Sequence, residues 1–262
     1  MILILIFIFS IKFKNLLLIS ISMVKSQELE KVRSRILTEL KCPLKDAAKN
    51  LVFGKGNPDA SIMFIGEAPG AKEDELGIPF VGAAGKELDK LLRSIGLTLD
   101  DVYIANILKY RPPENRDPAV DEIYRHTPYL IDQIKIIRPK IICTLGNYST
   151  KFVLAQFDIP NMKKISGITQ LHGKINPLII DGMEFMVIPL YHPAAMLYNP
   201  NLRKVLGEDF LEMGRILGLK SVEVVEEKKE EKTVKEPKIN KETGSKKEEK
   251  PKKEVQKGLG EF

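Results

Sequence analysis

Cysteine is nearly missing from this chain: two occur in 262 residues, Cys42 and Cys143, far apart in sequence. With that scarcity a disulfide framework is not expected, a single bridge being left open, and a reducing compartment is the default. Long apolar runs are scarce too. Residues 1–22, M-I-L-I-L-I-F-I-F-S-I-K-F-K-N-L-L-L-I-S-I-S, are split by Lys12, Lys14 and Asn15 into apolar runs of about eleven and about six residues, each short of the roughly 20 needed to span a bilayer. No charge precedes the apolar run and no small-residue cleavage site follows it, so a secretory signal is not expected, a membrane or targeting role being the alternative reading. The segment is expected to be an apolar extension outside the fold, with Met23 as an alternative start and no membrane role. A P-loop is also lacking, because G-A-A-G-K-E at 82–87 has Phe80 where the pattern needs glycine and Glu87 where it needs Ser or Thr.

What is present begins with a modest basic excess, a formal net charge of +6, which suits a polyanionic partner. From Ser221 onward the composition turns abruptly into mixed charge, 12 Lys and 11 Glu through Phe262. Such a stretch buries too little apolar surface to offset its ordering entropy, so 221–255 is expected to be a flexible charged linker. The end of the chain differs. Q-K-G-L-G-E-F sets Gln256, Leu259 and Phe262 three residues apart, a short apolar element on a long tether.

Between these ends, residues 23–220 read as one α/β domain. Apolar residues at Leu29, Val32, Ile36, Leu37 and Leu40 recur at helical spacing over 27–40. Strands are expected at 61–65, 101–106, 140–145 and 183–189, with amphipathic helices at 85–95, 120–137, 148–157 and 199–219. Strands alternating with helices imply a three-layer α/β/α sandwich around a central, mainly parallel four-stranded sheet. The loop that follows the first strand, G-E-A-P-G at 66–70, is the first place to look for a ligand, because open α/β sheets bind ligands at the carboxyl ends of their strands.

Further motifs follow in order: E-D at 73–74, G-I-P-F-V-G at 77–82, Y-I-A-N at 103–106, K-Y-R-P-P-E-N-R at 109–116 and H-P-A-A at 192–195. Taken together, from about Glu39 to Phe210, they resemble the family 4 uracil-DNA glycosylases of archaea and thermophilic bacteria. The resemblance implies a monofunctional enzyme of base excision repair that hydrolyses the N-glycosidic bond of flipped-out uracil and leaves an abasic site. No Lys stands in the motifs as a nucleophile, so lyase activity is not expected. Cutting that bond requires the base to be extruded, read in a pocket and stabilised as it departs with negative charge.

The resemblance assigns these tasks to particular residues. Phe80 would stack under the uracil, an aromatic face recognising a ring at low entropic cost. Asn106 would pair its amide with uracil O4 and N3–H, polarities that cytosine inverts. Gly66 and Ala68 would shape the floor of the pocket. His192 would donate a hydrogen bond to O2 of the leaving base, and Glu67 and Asn115 are the candidates for positioning water and stabilising the cationic sugar. Met196, Leu197 and Tyr198 would form an apolar wedge in the emptied duplex, and Lys109, Arg111, Arg116 and Arg203 would contact phosphates.

Members of the family hold a 4Fe-4S cluster on four cysteines, and here the chain departs. Cys42 alone matches, while Glu39, Tyr110 and His126 stand at the other three positions. No cofactor is therefore expected, with Tyr110 packed on Glu39 or His126 as a substitute staple. The terminal Gln256, Leu259 and Phe262 resemble a sliding-clamp-binding box shortened by one aromatic residue. The expected setting is a cytoplasmic, nucleoid-associated monomer acting on uracil-containing DNA. The competing reading is a weak or inactive DNA-binding or clamp-adaptor paralogue.

Overall fold

Four continuously apolar runs become four adjacent parallel strands in the computed structural model, which describes residues 2–219. In chain order the strands are β1 (Lys55–Gly56), β2 (Ile62–Gly66), β3 (Tyr103–Asn106), β4 (Ile141–Leu145), β5 (Asn176–Ile180) and β6 (Met183–Leu190). Their spatial order is β1-β3-β2-β4-β6-β5, with β3, β2, β4 and β6 parallel and the two edge strands antiparallel to their neighbours. The expected four-stranded sheet is thus the centre of a six-stranded mixed one.

Both faces of the parallel core are covered, which is why its strands carry no polar alternation. The helices are α1 (Ile2–Glu39), α2 (Pro43–Ala47), α3 (Ala71–Leu76), α4 (Ala83–Ser94), α5 (Val120–Ile137), α6 (Asn147–Leu154), α7 (Ile168–Leu171), α8 (Ala195–Tyr198) and α9 (Asn201–Ile216). On one face Met63, Ile65, Tyr103, Ile142 and Val187 pack with Val32 and Ile36 of α1, Leu130 and Ile134 of α5 and Phe152 of α6. On the other, Phe64, Ile104, Cys143 and Ile188 pack with Leu88 and Leu92 of α4 and Phe210 and Met213 of α9, and the rings of Phe64 and Phe210 stack at 6.0 Å.

Helix α1 begins at Ile2 rather than near Gln27. Lys12, Lys14 and Asn15 interrupt an apolar run without interrupting a helix, since none of them breaks the backbone pattern. No helix of the described residues is long and apolar enough to cross a membrane. The expected linker at 221–255 and the peptide carrying Gln256, Leu259 and Phe262 lie outside the described residues.

Strand β5 was not expected, because Asn176-Pro177 reads as a turn. The proline is tolerated on an edge strand, where one side of the ladder has no partner. Asp181 (φ 47°) and Gly182 (φ 80°) then close a two-residue hairpin that pairs Ile180 with Met183. Because β2, β3, β4 and β6 run in parallel, their carboxyl ends, Gly66, Asn106, Leu145 and Leu190, share one edge of the sheet. That edge is where the site lies.

Candidate active site

Gly66 and Asn106 are register partners at the ends of β2 and β3. The loops beyond them are stitched together by two backbone bonds, Ile107 N–H to Gly66 O at 2.9 Å and Leu108 N–H to Glu67 O at 3.0 Å. Next to this seam is a cavity of about 170 Å³ lined by Ala68, Gly70, Glu73, Phe80, Ala84, Asn106 and His192. It is smaller than the roughly 300–1,000 Å³ pockets that take drug-sized ligands, and it suits a single ring. Gly66 makes the closeness possible: a Cβ there would collide with Asn106 Oδ1 and lie 3.2 Å from Phe80 Cζ.

Phe80 is held in a costly conformation. It is buried yet has φ 52°, the left-handed region that a bulky residue avoids. The turn is fixed from outside by Glu73, whose Oε1 accepts from Val81 N–H at 3.0 Å and Gly82 N–H at 2.8 Å. It is fixed from below by Gly85, where any Cβ would collide with the Phe80 carbonyl. The Phe80 ring ends up 5.9 Å from the His192 ring, tilted by 32°. Sequence reasoning gave Glu73 no role, although its motif was noted; only the fold reveals that its carboxylate reaches two amides across the turn.

His192 follows β6 directly. Ala194 N–H donates to its Nδ1 at 3.2 Å, so Nδ1 is the acceptor and the neutral ring carries its proton on Nε2. Burial lowers its pKa from the usual 6.5, an effect that the Glu73 carboxylate partly offsets, and the ring is neutral at pH 7. Glu67 is half-buried beside the cavity residue Ala68, and burial, followed by the Asp117 charge, raises its pKa above the usual carboxylate range. The cavity therefore brings together an aromatic ring, an amide and a neutral imidazole, while Glu67, the carboxylate of raised pKa, is next to Ala68 in the chain and is not among the residues that line it.

A family model for the uracil DNA glycosylase superfamily matches residues 53–212, and type-4 uracil-DNA glycosylases match over most of the chain. The enzyme of Sulfurisphaera tokodaii is 50% identical over 70% of this chain and 81% of its own length. Those of Saccharolobus solfataricus and Archaeoglobus fulgidus are 49% and 43% identical, over 70% and 74% of this chain and 83% and 96% of theirs. The chain belongs to the type-4 uracil-DNA glycosylases.

Not every expected contact of this glycosylase with DNA survives the structure. Lys109 is fully buried, its Nζ donating to Asn106 O at 2.8 Å and Gln133 Oε1 at 2.6 Å, so it reaches no phosphate. Burial pushes its pKa down to about 7. Met196 is likewise buried, in the core beside α9, which removes it from the wedge, whereas Leu197 and Tyr198 are exposed, Tyr198 to 87%. In a one-turn helix adjacent residues face different ways, and the string A-M-L-Y does not say which face is inward.

Arg116 and Arg203 are exposed but engaged. Arg116 forms a forked pair with the buried Glu122 (2.9 and 2.5 Å), and Arg203 pairs with the buried Glu87 at 3.0 Å. Arg111 Nε donates to Asn115 Oδ1 at 2.8 Å. Asn115 itself sits on an exposed turn, with φ 55° at both Glu114 and Asn115, and does not line the cavity.

The positions of the family's cluster ligands also differ in setting. Cys42 and Tyr110 are buried, and the Tyr110 ring meets His126 edge-on at 6.2 Å. His126 is fully buried; its Nδ1 bonds Glu122 O at 2.7 Å, and its Nε2 has no hydrogen-bond partner. Burial lowers its pKa to about 4. Glu39 is turned to solvent and paired with Arg35, whereas the Tyr110 ring contacts His126. Cys143 lies in the core on the other face of the sheet from Cys42, with Sγ 3.3 Å from Met213 Sδ. Among the described residues no group of three or more His, Cys, Asp or Glu side chains could hold a metal ion. A single thiol, a phenol, an imidazole and a distant carboxylate do not fit a 4Fe-4S cluster, which thiolates hold.

Proposed function

We propose that this protein is a monofunctional uracil-DNA glycosylase that acts in base excision repair without an iron-sulfur cluster. The observation that carries the reading is the cavity shared by Phe80, Asn106 and His192. A flipped uracil would stack on Phe80 and pair O4 and N3–H with the Asn106 amide. As the bond between C1′ and N1 breaks, its electron pair passes to the base, and His192 Nε2–H would stabilise the charge at O2. A water oxygen then bonds to C1′ and loses its proton, leaving an abasic site. Glu67, ionised, would stabilise the cationic sugar or receive that proton; Asn115, outside the cavity and bonded to Arg111, could reach the water only if its turn moved.

The assay is direct: uracil-containing single- and double-stranded DNA is incubated with the protein and then treated with alkali. Strand breaks at uracil are expected. Binding without breaks, equal in Asn106→Ala, would instead identify an adaptor.

The pH profile follows from the two shifted groups. The raised pKa of Glu67 means that the ionised, active form is lost as pH falls through a value above 4.5. His192, with its pKa lowered, contributes no loss between pH 7 and its usual 6.5. The single-turnover rate should therefore be flat around neutrality and decline on the acid side, and Glu67→Gln should remove the Glu67 limb while lowering the plateau. An unchanged limb in that variant would take Glu67 out of the mechanism.

In place of the cluster, the Tyr110 and His126 contact would join α5 to the loop after β3. Purified protein is expected to contain no stoichiometric iron, measured by elemental analysis. On the DNA side, Arg111 and the exposed faces of Arg116 and Arg203 would meet phosphates, with Leu197 and Tyr198 filling the duplex. The protein would work as a cytoplasmic, DNA-associated monomer, with residues 23–220 as the catalytic domain and 1–22 dispensable. The tail would tether it to a sliding clamp through Gln256, Leu259 and Phe262. Deleting 256–262 should abolish co-migration with the clamp and leave uracil release from free DNA unchanged.

A further inference from the structure

Lys109 is the most conspicuous buried charge-bearing group that the mechanism above leaves without a task. Its exposure is 0%, and no ion pair joins it among the described residues. Burying an amine without a counter-ion costs stability, a loss that its two hydrogen bonds only partly offset. The bonds it makes indicate what it supplies. Nζ donates to the main-chain carbonyl of Asn106, the residue whose side chain reads the base, and to Gln133 Oε1 on α5. Gln133, itself fully buried, donates onward to Phe53 O at 2.9 Å and Tyr103 Oη at 3.2 Å. Lys109 O accepts from Val52 N–H at 2.9 Å. Lys109 thus connects the end of β3 to α5 through Gln133, and to the segment before β1 through Gln133 and its own carbonyl, adding to the two backbone bonds that join Ile107 and Leu108 to the loop after β2.

We propose that Lys109 is a positioning residue for base recognition, fixing through the Asn106 carbonyl the backbone that aims the Asn106 amide into the cavity. The inference rests on Asn106 reading the base. An amide misplaced by about 1 Å still lets DNA bind, but it loses the pairing that commits a flipped uracil to cleavage. Lys109→Met removes the donor and keeps the bulk.

The test is a cycle of Lys109→Met, Asn106→Ala and the double variant, read as single-turnover kcat and as KM on a uracil oligonucleotide. Lys109→Met should still fold, with a Tm lowered at most modestly because the lost amine leaves two buried acceptors without this donor, keep KM within about twofold and lose about 10- to 100-fold in kcat, the range a displacement of about 1 Å produces. In the Asn106→Ala background it should cost nothing more. Wild-type kcat in Lys109→Met, or the same fractional loss with and without the Asn106 amide, would overturn the proposal. Full activity in Asn106→Ala alone would overturn the base-reading role instead. If Lys109→Met fails to fold, Gln133→Met carries the test: it removes the second acceptor, and a several-fold loss in kcat that vanishes in the Asn106→Ala background is required.

Discussion

Gly66→Ala should abolish uracil release while leaving the fold in place. Gly66 has no positive φ, so alanine can adopt its backbone without strain. The conflict is with the pocket, where the new methyl would collide with Asn106 Oδ1 and crowd Phe80 Cζ and Cε2 at 3.2 and 3.3 Å. The Asn106 side chain must rotate away, and the space above Phe80 narrows. A misplacement of that order costs about 100-fold, or roughly 3 kcal/mol in the barrier. The expected result is a fall of at least about 100-fold in kcat/KM with a melting temperature close to that of the parent. Retention of more than about a tenth of the activity would mean that the base is not read at this seam.

His192→Ala is expected to lower kcat by about 100- to 1,000-fold, as loss of one donor to a developing anion does elsewhere, with little change in KM. The argument is the tautomer. Ala194 N–H occupies Nδ1, so the ring offers N–H only from Nε2, and burial keeps it uncharged at pH 7. His192→Gln, which still presents an amide N–H, should recover part of the loss. A variant that loses affinity for DNA but keeps kcat would show instead that His192 holds the duplex.

The central sheet was legible because burial on both faces leaves a signature of unbroken apolar runs, as in Ile62–Ile65 and Ile141–Leu145. The edge strands were not. β1 is two residues long, and β5 opens on Asn-Pro, although Asp181-Gly182 ahead of Met183 was a hairpin signal that could have restored it. Helix α3 was hidden inside the ligand loop, with Gly77 at its left-handed end.

In the site, Ala68, Phe80, Asn106 and His192 were found through motif order, and the fold brings them to one cavity. Lys109 was misread because a lysine next to arginines is ordinarily solvated, and burial belongs to the tertiary structure. Glu73 escaped for a related reason. Its partners are main-chain amides, which every sequence has and none displays.

The cavity draws on the ends of three strands, and the last of them closes at Leu190, late in the chain. A nascent polypeptide that has emerged only through β4 already carries the platform and the amide but lacks the imidazole donor. Competence to excise a base should therefore arrive in one step, when β6 docks beside β4. On the proposed roles, the emerging protein should until then have little activity on any nucleic acid it meets during its own synthesis.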